Sequence, residues 1–209
     1  MSDRYLETRY TPDPGRRRVW QAIVEYLQPH VPPGGSVLDL GAGYCDFVNQ
    51  IRASRRYALD RSADFGRFCA DGVQFLHSEV VPIGLPDNSL DAVFASNLLE
   101  HLDDGQLARL SVELRRVLRP SGTLILVQPN IHYCYREYWD DYTHVKALSH
   151  VSLADLVASW DFEILEVQPR FLPFSFKSRL PKSYWLTKLY LALPWRPMAK
   201  QMLLVARRK

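Results

Sequence analysis

Val37-Leu38-Asp39-Leu40-Gly41-Ala42-Gly43-Tyr44-Cys45-Asp46-Phe47 is the stretch from which the architecture is read. An apolar run of strand length ends in two closely spaced glycines and is followed by a segment expected to begin a helix. Open α/β sheets bind nucleotide-like ligands at such a strand-turn-helix junction, beyond the carboxyl end of the strand. Gly41 and Gly43 carry no Cβ, so the backbone there can turn sharply and approach a ligand closely. Two glycines do not by themselves choose the ligand.

The surroundings repeat the same alternation. Upstream, Val19, Trp20, Ile23, Val24 and Leu27 form a helical stripe that Pro32-Pro33-Gly34-Gly35 ends. Strands are expected at Ser36–Leu40, Tyr57–Asp60, Val73–His77, Asp91–Ser96 and Thr123–Gln128. Leu107, Leu110, Leu114, Val117 and Leu118 keep a 3-4 spacing that stops at Arg119-Pro120-Ser121-Gly122. Strands alternating with helices predict a parallel sheet covered on both faces. Further on, a short helix is expected at Leu153–Ser159, with strands at Phe162–Val167 and Gln201–Ala206. The whole chain, 1–209, is expected to be one domain. Its parts are an N-terminal helical cap (1–35), a core (36–168) and an aromatic and basic insertion (171–197).

Composition narrows the class. With 47% hydrophobic and 23% charged residues, the 209-residue chain has the profile of one globular domain. A net charge of +3 without a dense basic stripe argues against a nucleic-acid partner. Cys45, Cys69 and Cys134 are odd in number and irregularly spaced, which favours a reducing compartment over a disulfide framework. The N-terminal residues carry no apolar secretory segment, and no run has bilayer length, so a cytoplasmic location is expected.

Charge separates two ligand readings. A dinucleotide fingerprint, GxGxxG, places its third glycine where this chain has Asp46. Carboxylates at Asp39 and Asp46 would repel a pyrophosphate and suit a ligand carrying a sulfonium and an ammonium. The alternative for Asp46 is charge complementarity at a helix N-terminus. Asp60, 17 residues after Gly43, closes the second strand. It can accept hydrogen bonds from ribose hydroxyls.

Several motifs in this order resemble the class I S-adenosylmethionine-dependent methyltransferases, especially the small "type 11" group. VLDLGAGYCDF resembles the family's glycine-rich first motif and Ala58-Leu59-Asp60 its ribose-binding acid. Residues 85–104, LPDNSLDAVFASNLLEHLDD, resemble its fourth-strand signature, and residues 114–130, LRRVLRPSGTLILVQPN, its following helix and fifth strand. The resemblance covers about residues 16–168. It implies a Rossmann-like α/β fold: a mostly parallel seven-stranded sheet, helices on both faces and an antiparallel last strand. It also implies S-adenosyl-L-methionine as cofactor, with S-adenosyl-L-homocysteine as product.

The same resemblance implies roles for individual residues. Gly41 and Gly43 would pass beside the amino-acid part of the cofactor, with Asp39 shaping that pocket and Asp60 holding the ribose. His77, Ser78 and Glu79 fall where the family contacts adenine. Asn97 would lie near the methionine portion and the methyl group. Cys45 stands where the family usually has glycine.

Methyl transfer needs alignment first, and a general base only for an acceptor such as a hydroxyl. His144, oriented by Asp140 or Asp141, is the leading catalytic candidate, with His132 in the same segment after the fifth strand; His101 is read as structural or pocket-lining. No recognisable ligand spacing supports a metal site. The acceptor is expected to be a small molecule or a glycan- or lipid-linked compound, methylated on oxygen. Phe171, Phe174, Phe176, Tyr184, Trp185, Tyr190 and Trp195, interleaved with Lys177, Arg179, Lys182 and Lys188, admit three readings. They are a substrate lid, a peripheral membrane contact or an ordinary core helix. Two other functions stay open: a non-catalytic cofactor-binding scaffold and an NAD-dependent oxidoreductase.

Overall fold

The computed structural model describes residues 13, 15–173 and 182–209. Phe174, Phe176, Lys177 and Arg179, and most of the segment before residue 15, lie outside the described residues. Seven strands form one sheet: β1 (Ser36–Leu40), β2 (Arg55–Asp60), β3 (Val73–His77), β4 (Leu90–Ser96), β5 (Leu118–Pro129), β6 (Phe162–Leu172) and β7 (Gln201–Arg208). Their order is β3-β2-β1-β4-β5-β7-β6. β1 to β5 pair in parallel, and β7 runs antiparallel to both β5 and β6. The helices are α1 (Arg16–Leu27), α2 (Asp104–Val117), the single turn α3 (Ile131–Cys134), α4 (His150–Ser159) and α5 (Tyr184–Ala192).

Successive strand residues feed two separate cores, as the period of two requires. Leu38, Leu40, Leu59, Val93, Leu124, Leu126 and Leu204 face α2 and α4, which contribute Leu107, Leu110, Leu114, Leu153 and Val157. Val37, Ala58, Phe94, Ile125, Val127 and Leu203 face the other way. There they pack with Trp20, Ile23, Val24 and Leu27 of α1 and Leu191 of α5. The sheet is therefore covered on both faces, and all five residues of β1 are buried.

Asp103 caps α2 through a capping box: its carboxylate accepts from the Gln106 N–H at 2.7 Å, and the Gln106 side chain accepts from the Asp103 N–H at 3.0 Å. Asp103→Ala is expected to cost about 1 kcal/mol. Thermal unfolding should read this as a fall in Tm of roughly 2–4 °C.

Three segments differ from the sequence expectation. After Gly41 the chain forms consecutive turns and no regular helix. Gly41, Gly43 and Cys45 have φ of 75°, 48° and 58°, and these left-handed residues interrupt a right-handed run. Phe47, Val48 and Ile51 are nevertheless buried in the α1-side core, so the segment fulfils a helix's packing role. Secondly, Arg119–Gly122 do not simply stop a helix. Leu118 pairs with Leu90 and Thr123 with Ala92, so the intervening residues bulge out within β5. A Cβ on Gly122 would lie 2.9 Å from the Arg119 carbonyl oxygen. Thirdly, 171–197 does not start as a separate unit. Phe171 and Leu172 end β6 and are buried, while α5 packs Leu191 inward and leaves Trp185, Leu186 and Leu189 exposed. No described helix is long and apolar enough to cross a membrane.

Candidate active site

A cleft of about 500 Å³ opens at the carboxyl ends of β1, β2 and β4. Gly41 lines it from the end of β1, Asp60 and Arg61 from β2, and Ser96, Asn97 and Leu98 from β4. Glu79, Val80 and Val81 form one wall; His101, Leu102, Gln106 and Arg109 form another. This volume suits a nucleoside-sized ligand.

Hydrogen bonds across the sheet shape the floor. The Gly41 and Ala42 N–H groups both donate to the Leu59 carbonyl, at 2.9 and 3.0 Å, tying the first turn to β2. Asp60 Oδ2 accepts from the Gly43 N–H at 3.0 Å and Oδ1 from the Ser62 N–H at 3.0 Å. Its carboxylate is thus fixed at the cleft with acceptor capacity left for a diol. Burial raises its pKa, and the two backbone donors oppose that shift. A Cβ on Gly41 would lie 3.2 Å from Leu98 Cδ1, so glycine keeps that end of the cleft open. Asn97 has φ of 50°, and its Oδ1 accepts from Gln201 Nε2 at 2.7 Å, a partner on β7. The buried Gln128 holds the same loop by accepting from the Leu98 N–H at 3.2 Å. The cleft thus brings together an unobstructed glycine turn, the Asp60 carboxylate with acceptor capacity left over, and Glu79, groups of the kind an adenosyl cofactor needs.

Other expected residues sit elsewhere. Gly43 supports Asp60 from a buried position and is not among the cleft-lining residues. Ser78 and His77 are also outside the lining; Ser78 Oγ donates to the Pro82 carbonyl at 3.5 Å, and His77 Nε2 lies 3.0 Å from the Arg61 carbonyl. Asp39 is 3% exposed and accepts from the Val48 N–H at 3.3 Å. Burial, with Asp46 and Asp60 adding repulsion, pushes its pKa up to about 8. Asp46 is paired with Arg16, whose Nη2 and Nε lie 2.6 and 2.9 Å from Oδ2. Asp39 and Asp46 therefore do not present two free negative charges to a ligand. That corrects the electrostatic case against a pyrophosphate: desolvation keeps one carboxyl protonated near neutral pH, and a guanidinium neutralises the other. No helix starts at Asp46, so helix-end complementarity does not explain it either.

Cys45 adopts the left-handed backbone for which glycine is preferred, which explains the family's usual residue there. Its Sγ lies 3.4 Å from Cys69 Sγ, a proximity that 24 residues of separation hid; both are free thiols.

The histidines divide into two groups. His132 is exposed and packs edge-on to His150, with ring centroids 5.4 Å apart, away from the cleft lining. His101 lines the cleft, and the buried His144 packs against it at 4.9 Å between centroids. Asp141 Oδ1 accepts from Thr143 Oγ1 at 2.6 Å and from the Thr143 N–H at 3.1 Å. Thr143 Oγ1 in turn lies 3.0 Å from His101 Nδ1, and the Thr143 carbonyl 3.2 Å from the same nitrogen. A carbonyl only accepts, so Nδ1 carries the ring proton and Nε2 the lone pair. Burial, then the neighbouring His144, lowers the His101 pKa. Sequence spacing missed this array because its halves lie 42 residues apart.

These features define a class I methyltransferase fold with its ligand cleft at the usual end of the sheet. Residues 38–126 match the family model described as a methyltransferase domain. Over those residues the chain is similar to S-adenosylmethionine-dependent methyltransferases, and its fold is theirs. An uncharacterized methyltransferase of Mycobacterium tuberculosis is 31% identical over 121 residues, which are 52% of this chain and 59% of that protein. The chain thus spans less than two thirds of the curated relatives it matches. Among solved structures, a SAM-dependent methyltransferase from Thermotoga maritima superposes with a TM-score of 0.69 at 19% identity, covering 99% of this chain and 94% of the other. One from Archaeoglobus fulgidus gives 0.68 at 20% identity, covering 92% and 94%. At these identities the likeness is one of fold.

Proposed function

We propose that the chain transfers a methyl group from S-adenosylmethionine to a hydroxyl oxygen of a small-molecule, glycan-linked or lipid-linked acceptor. The observation that carries this reading is His101, which lines the same cleft as Asp60 and Gly41 and is held from behind by Thr143 and Asp141. When bound, the cofactor supplies a methyl on a positively charged sulfur; the sulfur leaves as a neutral thioether with the C–S electron pair as the acceptor oxygen forms the C–O bond and releases its proton to solvent. Asp60 anchors the ribose, and the absence of a Cβ at Gly41, where one would crowd Leu98, lets the turn lie flush with the ligand. The Asn97–Gln201 and Gln128–Leu98 bonds hold the loop beside the reacting end. Fixing this geometry supplies much of the rate, since the methyl is already activated. The Asp141–Thr143–His101 chain fixes the His101 tautomer, so that Nε2 is the lone-pair nitrogen of the acceptor wall; His144 packs behind it. The exposed Trp185, Leu186 and Leu189 of α5 support the lipid-linked version of the acceptor.

The test is methyl transfer from labelled S-adenosylmethionine to phenols, sugars and polyprenyl-linked glycans, the last with and without anionic vesicles. A methyl ether on any of these is the expected product. Label found only on amines would refute oxygen as the target, and a chain that binds S-adenosylhomocysteine but transfers nothing would be a scaffold.

A further inference from the structure

Glu100 follows Leu98 and Leu99 at the turn after β4. It is 1% exposed, and neither carboxylate oxygen has a hydrogen-bond partner. A buried carboxyl without a partner is costly, so something must compensate it. Among the described residues it meets His101 and His144: one ligand atom from each of the three lies within 4.8 Å of the others. The backbone builds this meeting. The Glu100 carbonyl accepts from the Val145 and Lys146 N–H groups at 2.9 and 3.1 Å, clamping the His144 segment onto the β4 turn.

We propose that Glu100, His101 and His144 bind a divalent first-row cation at the wall of the cleft. The donor set is one carboxylate and two imidazoles, which suits Zn²⁺, Mn²⁺ or Co²⁺ better than Mg²⁺. His101 is already in the tautomer that a metal needs, with Nδ1 bonded to Thr143 and the Nε2 lone pair available. Thr143 and Asp141 then act as the outer partners that orient a ligating imidazole. Bonds of about 2.0–2.2 Å require the three ligand atoms to converge on one point from separations of up to 4.8 Å. Three protein ligands leave positions open for exchangeable oxygen. Because His101 lines the cleft, such a position serves the acceptor hydroxyl, whose proton passes to solvent as the cation stabilises the oxyanion. That role rests on the methyltransferase reading; the cation site itself does not. Sequence reading gave no metal site because Glu100 and His101 are adjacent while His144 is 43 positions beyond His101, a separation with no recognisable ligand pattern.

The experiment titrates Zn²⁺ and Mn²⁺ separately into the full chain after chelator treatment, without cofactor or acceptor, by calorimetry. S-adenosylhomocysteine binding is measured on the same sample. One saturable site is expected, weakened in Glu100→Gln and His144→Gln by more than the about 10–100-fold that an outer-shell partner costs. His132→Gln should leave it unchanged. Absence of a saturable site, or one insensitive to Glu100→Gln and His144→Gln, overturns the proposal. If those variants fail to fold, the Co²⁺-loaded native chain decides: weak visible bands of nitrogen and oxygen ligation support it, and thiolate charge-transfer absorption, placing the ion at Cys45 and Cys69, refutes it. S-adenosylhomocysteine binding without metal binding would sink the cation site alone. Metal binding without S-adenosylhomocysteine binding would sink the methyltransferase reading alone.

Discussion

Asp60→Ala is expected to weaken S-adenosylhomocysteine binding by about a hundredfold or more. A hydrogen bond to a charged group contributes about 1.5–3 kcal/mol, and a carboxylate that takes both ribose hydroxyls makes two. About 1.4 kcal/mol is a factor of ten, which sets the scale of the loss. The variant also frees the Gly43 and Ser62 N–H groups, so the two turns forming the floor lose a common anchor. Asp60→Asn keeps the side-chain shape and one acceptor oxygen, and should fall between wild type and alanine. Calorimetry with S-adenosylhomocysteine, alongside Tm measured without ligand, separates a binding loss from an unfolded variant. If a folded Asp60→Ala binds like wild type, the cofactor does not sit across the end of β2.

Asp39→Asn is expected to stabilise the chain above neutral pH, by an amount that grows with pH. The Asp39 carboxyl is completely enclosed, and its pKa is pushed from 3.8 up to about 8. The folded chain therefore holds a proton that the unfolded chain has lost. By linkage, wild-type stability is greatest below the unfolded pKa and falls as pH rises from about 4 to about 8. Each pH unit of displacement is worth about 1.4 kcal/mol, so charging Asp39 inside the fold costs several kcal/mol. Asparagine keeps an acceptor for the Val48 N–H and never ionises. Glu100, also pushed to about 8 by burial, contributes the same slope to both proteins and cancels in the difference. With roughly 2–4 °C per kcal/mol for a chain of this size, Asp39→Asn should melt on the order of 10 °C above wild type at pH 8.5. At pH 5 the gap should shrink to a few degrees, and it should close only below about pH 4. Parallel Tm profiles from pH 5 to 8.5 would mean that Asp39 is not held protonated by the fold.

Much of this molecule was legible along the chain. Ser36–Leu40 and Val73–His77 are strands with the expected bounds, because a short apolar run flanked by glycine, proline or a charge has few other ways to satisfy its backbone. The α2 stripe from Leu107 to Val117 was equally plain, since a 3.6-residue period repeated over three turns is hard to imitate. Gly41 and Asp60 reached the cleft because a turn and a strand end are local events, and the sheet places both at one edge. The segment after Gly43 misled because left-handed φ at Cys45 cannot be read from a residue type that seldom adopts it.

The positions of most strands along the chain, the α2 stripe and the glycine turn at the cleft were thus determined by the sequence itself, through interactions reaching only a few residues. What tertiary structure alone decided is the electrical and chemical state of the site. Arg16 neutralises Asp46 from 30 residues away, and Gln201 holds Asn97 from 104 residues away. Burial by two cores sets the charge of Asp39, and the docking of residues 143–146 on Glu100 brings two histidines and a carboxyl together. Desolvation and Coulomb interaction depend on distance in space and on what excludes water, and neither is a function of position along the chain.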